Sequence, residues 1–584
     1  MGGPAPTPLR VAEWAAAASL VAACAQTSTD IRRADAHPRS ADDAARLLLQ
    51  AQFSASPAEI AQVLQLGYGP WLEAQLQRQP SADALAWLDA RGYGQADAQT
   101  RYFDHSYPAD YAIWRHLMTA DDPVRQRMAL ALSEYFVVSA QGLDMPWRSH
   151  ALVHYWDMLC QHAFGNFRDL LRAVSLHPAM GQYLVTRGNQ KENPATGRQP
   201  DENYAREVMQ LFAIGLYQLH TDGSLQRDAL GQLIETYDQS DIVQLARVFT
   251  GYDFDQSANV VTELAGPKPR KVGNALYTQR PMAFLPARHS PLEVRFLGQQ
   301  IAAGTPGPQA LEQALDVLFH HPNVGPFFGR QMIQRLVTSN PSPAYVARVA
   351  HAFNNNGQGV RGDLRAVWRA ILLDDEARLP ATLAQPDFGK VREPMLRFIQ
   401  WGRTFGLRSA TGSWKIGDLS NPATQLGQSP LRSPSVFNYF RPGYVPPSTV
   451  LAQRHATAPE FQLVHETSVA GYVNFMQGVI RRGLYVADPE RPDHAPGPQH
   501  PKAGFDLQAD YNRELALADH VPALLGHLNL LLCAGQLSVP TLALMAQALQ
   551  ATPLPKAANA EARLNRVAGA VLMVMTAPEY LIQK

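Results

Sequence analysis

The chain has little of what usually announces a chemistry. Its 584 residues include only three cysteines. Cys160 and Cys533 each close an apolar run and read as small core hydrophobes. Two such distant thiols make no disulfide framework, and no CxxC or Cys/His spacing suited to zinc occurs. Charge is scarce as well: 17% of residues are charged, and 51 basic side chains cancel 51 acidic ones. A neutral chain has no global field to draw in nucleic acid or an anionic membrane. No run of five like charges supplies a local substitute. The body lacks any apolar stretch near the roughly 20 residues needed to span a bilayer. There is no GxSxG elbow, no GxxxxGK[ST] phosphate loop, no HExxH, and no GxGxxG after an expected strand. These absences argue against the common hydrolase, NTPase and dinucleotide-binding classes. No period of 20–50 residues appears, which argues against a solenoid.

What is present is bulk. Hydrophobic residues make up 46% of the chain, ample for one large core or two or three smaller ones. Helical periodicity dominates, so the expected fold is mainly α: a large multi-helix globular body with a small β-hairpin and loop region near residues 251–290. Residues 41–78 read as two helices, the second opened by Ser56-Pro57-Ala58-Glu59 with its cap, proline and acid in order. Further helices are expected at 123–140, at 150–176 with a break at 164–168, and at 202–219 and 239–250. Others follow at 291–304, 308–320, 323–338, 343–355, 361–376 and 459–482. Residues 515–584 read as a helical hairpin and a last helix, with Gly535 placed to end the first arm. The proline-rich stretch 487–505 reads as a mobile loop.

The N-terminus reads differently. Residues 11–23, VAEWAAAASLVAA, follow Arg10 and lead into Val21-Ala22-Ala23-Cys24. This resembles a bacterial lipoprotein signal over residues 1–24, with Cys24 the lipidated residue and residues 25–40 a flexible tether to a body at 41–584. An exported protein follows, periplasmic or in the outer membrane and held there only by its lipid. The alternative is an ordinary alanine-rich helix.

Polar chemistry is densest between His177 and Glu207. Placed on a helical wheel, Tyr204, Val208, Leu211 and Gly215 share a face, and Glu207 lies about 60° from its centre. A carboxylate on a buried edge must be paired, protonated or metal-bound. Glu207 is therefore read either as an acid/base or metal ligand, or as a tie between its helix and a loop. Asp201 is the expected helix cap, and Glu202 with Arg206 suits an exposed pair. Asn189, Glu192, Asn193, Asp201, Glu202 and Asn203 offer oxygens of the kind calcium or another divalent cation takes, without the EF-hand spacing. A solvated cluster of turns would look the same. Asp238 and Asp241 form a capping pair, with Asp241 also able to face the site. His289 is a ligand, a base or a packed loop residue. Gly389-Lys390-Val391-Arg392-Glu393-Pro394 would grip an anion, pair with Glu207 or form a salt-bridged helix entry. Ser433 to Phe440 is stiff and aromatic, suited to a cleft wall or to a packed loop.

At these residues the chain resembles the bacterial family catalogued as domain of unknown function 1800. The resemblance is carried by His177-Pro178-Ala179-Met180, by Pro200 to Phe212 (PDENYAREVMQLF), by Asp241 to Gly251 (DIVQLARVFTG), by Gly389 to Pro394, and by Ala577-Pro578-Glu579-Tyr580-Leu581. It implies an exported protein and, as a frequent neighbour, a sulfatase- or phosphatase-like partner, but no established activity. Many members look to carry a histidine where this chain has Phe212, which puts any shared metal site in doubt.

Three functions from different classes follow. One is an envelope enzyme acting on an extracellular polymer or glycan. Glu207, His289, Lys390 and Arg392 would be its catalytic groups, and Asn203, Tyr204, Arg206 and Asp241 would contact substrate. The second is a non-catalytic envelope scaffold or assembly partner of the sulfatase-like protein. The third is a metal-stabilised binding protein using the loop at 189–203.

Overall fold

The computed structural model describes residues 37–266, 269–488, 504–555 and 559–584. The expected signal, Cys24 and most of the tether lie outside the described residues, as does 489–503 of the proline-rich loop. The architecture is mainly α, with only small antiparallel strand pairs. No helix among the described residues is long and apolar enough to cross a membrane.

Local chemistry starts the helices where the sequence places the caps. The Ser56 hydroxyl accepts the Glu59 N–H while the Glu59 carboxylate accepts the Ser56 N–H at 2.9 Å, closing a capping box ahead of helix Pro57–Leu66. Asp238 and Asp241 do the same for helix Gln239–Ala246. At the other end of the chain, Ala534 (φ 50°) and Gly535 (φ 77°) stop helix Val521–Cys533. Ala534 itself takes the left-handed conformation that glycine adopts more cheaply.

Packing then sorts the helices by depth. Helix Pro123–Ser133 is buried at every position, including Arg125, Gln126 and Arg127. Arg148–His162 is buried along most of its length and carries Tyr155 and Trp156. A helix without a solvent face is a central one. Around this pair, buried side chains form one contiguous cluster from Ala44 to Tyr580. The C-terminus closes the body: Ile582–Gln583 pairs antiparallel with Lys390–Val391.

Several boundaries differ from the sequence reading. Residues 41–78 make three helices, Ala41–Ala51, Pro57–Leu66 and Tyr68–Leu76. The expected helix at 291–304 is instead a hairpin, Val294–Phe296 with Gln299–Ile301. Leu297 (φ 47°) and Gly298 (φ 72°) give its turn two left-handed residues, the twist that suits a two-residue hairpin. Val294 and Phe296 face inward while Arg295 faces out, a period of two that a helix cannot use. The helix expected at 202–219 spans only Asn203–Gln210, and Gly215 sits at φ 72°. The helix expected at 239–250 ends at Ala246. The expected 459–482 helix is divided into a short turn at Pro459–Leu463 and the helix Glu466–Arg482, which is capped by His465.

These early stops free the chain after residue 210 to build a side wall. Asn323, 1% exposed, clamps that wall to the start of helix Val324–Leu336. Its amide donates to the carbonyls of Ile214 and Tyr217, both at 2.8 Å, and its oxygen accepts the Leu219 N–H at 2.9 Å. Asn323→Ala strands two carbonyls and an N–H at once. It is expected to lower stability by about 2–3 kcal/mol, measured by denaturant unfolding. Faster amide exchange should be confined at first to residues 214–219.

Candidate functional site

The expected catalytic residues fall in three separate places. Glu207 is on helix Asn203–Gln210 with its side chain buried, and its Oε2 has no hydrogen-bond partner. Burial raises its pKa, and the Arg206 charge only partly offsets this. Tyr204 points inward, donates to the Ser175 hydroxyl at 2.7 Å and packs edge-on against Phe249. Arg206 pairs with Glu202 at 3.3 Å, as the four-residue spacing suggests. Asn203 gives its N–H to the Asp201 carboxylate. Glu202, not the expected Asp201, is the residue at the cap, and Asp201 holds the first turn from two residues ahead of Asn203.

His289 lies on the loop after the β-region. Its Nδ1 is 3.0 Å from the Thr250 carbonyl, so that nitrogen carries the proton. Asp241 takes N–H groups from Asp238 and from Leu297, tying its helix to the hairpin turn. Lys390 and Arg392 are deep in the interior instead. Lys390 Nζ donates to the Arg335 carbonyl at 2.8 Å and sits 3.3 Å from Glu393 and 3.4 Å from Glu460. Arg392 donates to Gln400 and to the Leu532 carbonyl, and its guanidinium lies over the Tyr580 ring. Among the described residues, no hydrogen bond or ion pair joins Glu207, His289 and Lys390 to one another.

The oxygen-rich loop spends its oxygens on itself. Asn189 exchanges two bonds with the Asp201 backbone, Asn193 accepts the Ala195 N–H, and Glu192 accepts the Ser290 hydroxyl. Among the described residues, no group of three His, Cys, Asp or Glu converges as a metal site would require. Glu207→Gln removes a carboxylate that burial disfavours. It is therefore expected to keep the fold within about 1 kcal/mol. Because the folded-state pKa is raised, the wild type loses stability as pH rises above the ordinary carboxylate range while the variant does not. Thermal melts at acid and neutral pH should show the variant gaining on the wild type as pH rises.

A cavity of about 340 Å³ opens at the C-terminal end of the same helix. Phe327, Arg330, Gln331 and Arg335 line one wall from a single stripe of helix Val324–Leu336. The opposite walls are the 215–225 segment held by Asn323 and the aromatic stretch Val436 to Gly443. Gln210 and Leu211 reach it from the end of helix Asn203–Gln210, and Glu134 and Tyr135 from just beyond helix Pro123–Ser133. The walls are predominantly apolar, and Leu216, Tyr217, Leu225 and Phe437 stay exposed at its edges. Gly215 allows the close approach here: a Cβ on it would come within 2.7 Å of the Phe327 ring.

Behind the cavity lies a charged interior. Glu134 faces Arg335 at 3.5 Å, and Arg335 also donates to the Glu134 carbonyl at 2.9 Å. Burial, reinforced by the nearby Glu393 charge, pushes the Glu134 carboxyl well above the usual range. Burial acts on Glu393 too, but Lys390, a hydrogen bond from the Glu134 carboxyl, the Gln428 amide and Arg127 outweigh it and hold Glu393 low. Arg330, at the cavity, stands apart from this network. It is partly buried, and it has no hydrogen bond or ion pair among the described residues.

The family model described as a protein of unknown function, DUF1800, matches residues 46–582. The chain belongs to the DUF1800 family. No curated protein and no solved structure matches it. In this DUF1800 chain Phe212 is fully buried, 5.4 Å from the Phe136 ring and 6.5 Å from Tyr204. The motif His177-Pro178 serves the backbone: His177 Nδ1 accepts the Ala179 N–H at the start of its helix, and its Nε2 meets His154 Nδ1 at 2.9 Å. His177 therefore keeps its proton on Nε2 and donates it to His154.

The sequence left 433–440 open between a cleft wall and a packed loop, and it did not single out Glu134, Arg330 or Arg335. Their signal was present. Each charge follows or interrupts a strongly apolar helix, in ALALSEYF for Glu134 and in PFFGRQMIQRL for the two arginines. Buried charges are rare enough to mark a network or a site.

Proposed function

We propose that this protein binds a small amphipathic molecule in the cavity between helix Val324–Leu336, the 215–225 wall and the 436–443 wall. The single observation behind this is the cavity itself: concave, mostly apolar, and with a few polar groups converging on it. That is the usual make-up of a small-molecule site. A glycan or polymer is a poorer occupant, because sugars need a dense set of hydrogen-bonding partners that Leu, Val and Phe walls do not offer. The exported, membrane-proximal setting expected from Val21 to Cys24 would put lipid-derived amphipaths within reach.

The test is a titration with the neutral, environment-sensitive probe N-phenyl-1-naphthylamine. Saturable one-to-one binding is expected in the wild type. Leu211→Trp, which fills the cavity, should weaken it at least tenfold while leaving the thermal melt cooperative. Absent or non-saturable binding, or binding indifferent to both Leu211→Trp and Val436→Trp, would remove the proposal.

A further inference from the structure

We infer that Arg330 receives the anionic head, a carboxylate or a phosphate, of an amphipathic ligand whose apolar part lies against Leu211, Phe327 and Val436. This rests on the cavity reading above and adds the chemical class of the ligand.

The cations and acids at the cavity divide cleanly. Arg335 is already committed, with Glu134 beside it at 3.5 Å and the carbonyls of Gln331 and Glu134 accepting from it at 3.2 and 2.9 Å. Arg441 is exposed and lies over the Phe437 ring at 4.5 Å. The acid in the lining, Glu134, is turned to Arg335 with its Oε2 wholly buried. Arg441 has no side-chain hydrogen bond or ion pair among the described residues but stands in solvent, so the partly buried cation left without either is Arg330. It shares a helical stripe with Phe327 and Gln331. Burial alone lowers its pKa, with no neighbouring charge acting on it. A partly desolvated guanidinium without a partner is costly. An anion that takes two of its N–H groups in parallel would offset that cost, and the planar fork suits carboxylate and phosphate alike. A neutral or cationic ligand of the same shape would leave the cost in place.

The experiment displaces N-phenyl-1-naphthylamine from the full chain with octanoate, octyl phosphate, octanol and octylamine, which share one tail. At least one of the two anions is expected to compete tenfold or more better than octanol, with octylamine weakest. Comparing octanoate with octyl phosphate tells which head fits. Arg330→Met should collapse the ratio of anion to alcohol toward one, and Arg330→Lys should restore part of it. The preference should also shrink as salt is raised. Octanol competing as well as both anions in the wild type would overturn the inference while leaving the cavity reading intact. So would an anion preference that survives Arg330→Met. If the neutral probe does not bind at all, the cavity reading fails and this inference falls with it.

Discussion

Lys390→Met is expected to destabilise the protein by about 3–5 kcal/mol, the usual consequence of stripping one partner from a buried ion network. Lys390 is fully buried, 3.3 Å from Glu393 and 3.4 Å from Glu460. It donates hydrogen bonds to Glu393 and to the Arg335 carbonyl. Methionine matches the stem and removes only the charge and the bonds. What remains is two carboxylates close to each other, with Arg127 and Arg335 as the nearby cations. Lys390 is the strongest influence holding Glu393 low against burial. Without it Glu393 takes up a proton or stays charged at a cost. The deficit should therefore be smallest at acid pH, where both carboxyls are protonated in folded and unfolded chains alike, and should grow as pH rises. Guanidinium midpoints at acid and neutral pH measure this directly. Adding Glu393→Gln should recover part of the loss, since it removes one of the stranded charges. A Lys390→Met variant within 1 kcal/mol of wild type at neutral pH would mean the network carries no such energy.

This also explains why the segment 389–394 is ambiguous as sequence. Two cations and an acid in four positions fit an anion grip as well as a structural knot. The deciding partners, Glu134, Arg335 and Glu460, come from elements far away in the chain. Local chemistry was legible where both partners lay within a turn of each other, as in the Ser56–Glu59 and Asp238–Asp241 boxes. Helix ends were less so. The wheel that groups Tyr204 with Gly215 assumes a helix that stops at Gln210, because the following residues are drawn into the wall held by Asn323. The hairpin at 294–301 was hidden because Leu297 takes a left-handed conformation that its residue type does not advertise. Composition left the aromatic stretch at 433–440 open between a cleft wall and a packed loop, and the fold puts Val436, Phe437, Asn438 and Phe440 of it at the cavity. Arg330 could not be recognised as unpaired, because pairing is a property of the assembled fold.

The same contrast between local and assembled chemistry gives a second large effect, at His116 and Asp157. Trp156 donates its indole N–H to His116 Nδ1 at 3.0 Å, so the imidazole is held as an acceptor with its proton on Nε2. That Nε2 is buried and has no partner, and burial pushes the His116 pKa down to about 4. Asp157 lies 3.9 Å from the ring and accepts the N–H groups of Ala84 and Leu85 at the start of helix Ala84–Ala90. Burial nonetheless lifts its pKa to about 7. The two linkages have opposite signs. Between the unfolded value of 6.5 and about 4, only the unfolded chain protonates the histidine, so stability falls as pH drops. Between the unfolded value of 3.8 and about 7, only the folded chain keeps the aspartate proton, so stability falls as pH rises. Over most of this window they cancel in the wild type. His116→Gln keeps an acceptor for Trp156 and deletes the first linkage alone. Relative to the wild type it should gain about 3 kcal/mol as pH falls from 7 to 4, whatever constant offset the substitution brings. Asp157→Asn should show the reverse, gaining about 4 kcal/mol on the wild type as pH rises over the same range. Unfolding free energies of the three proteins across that range are the measurement. Differences that stay flat with pH would show that neither group is held in the charge state its burial dictates.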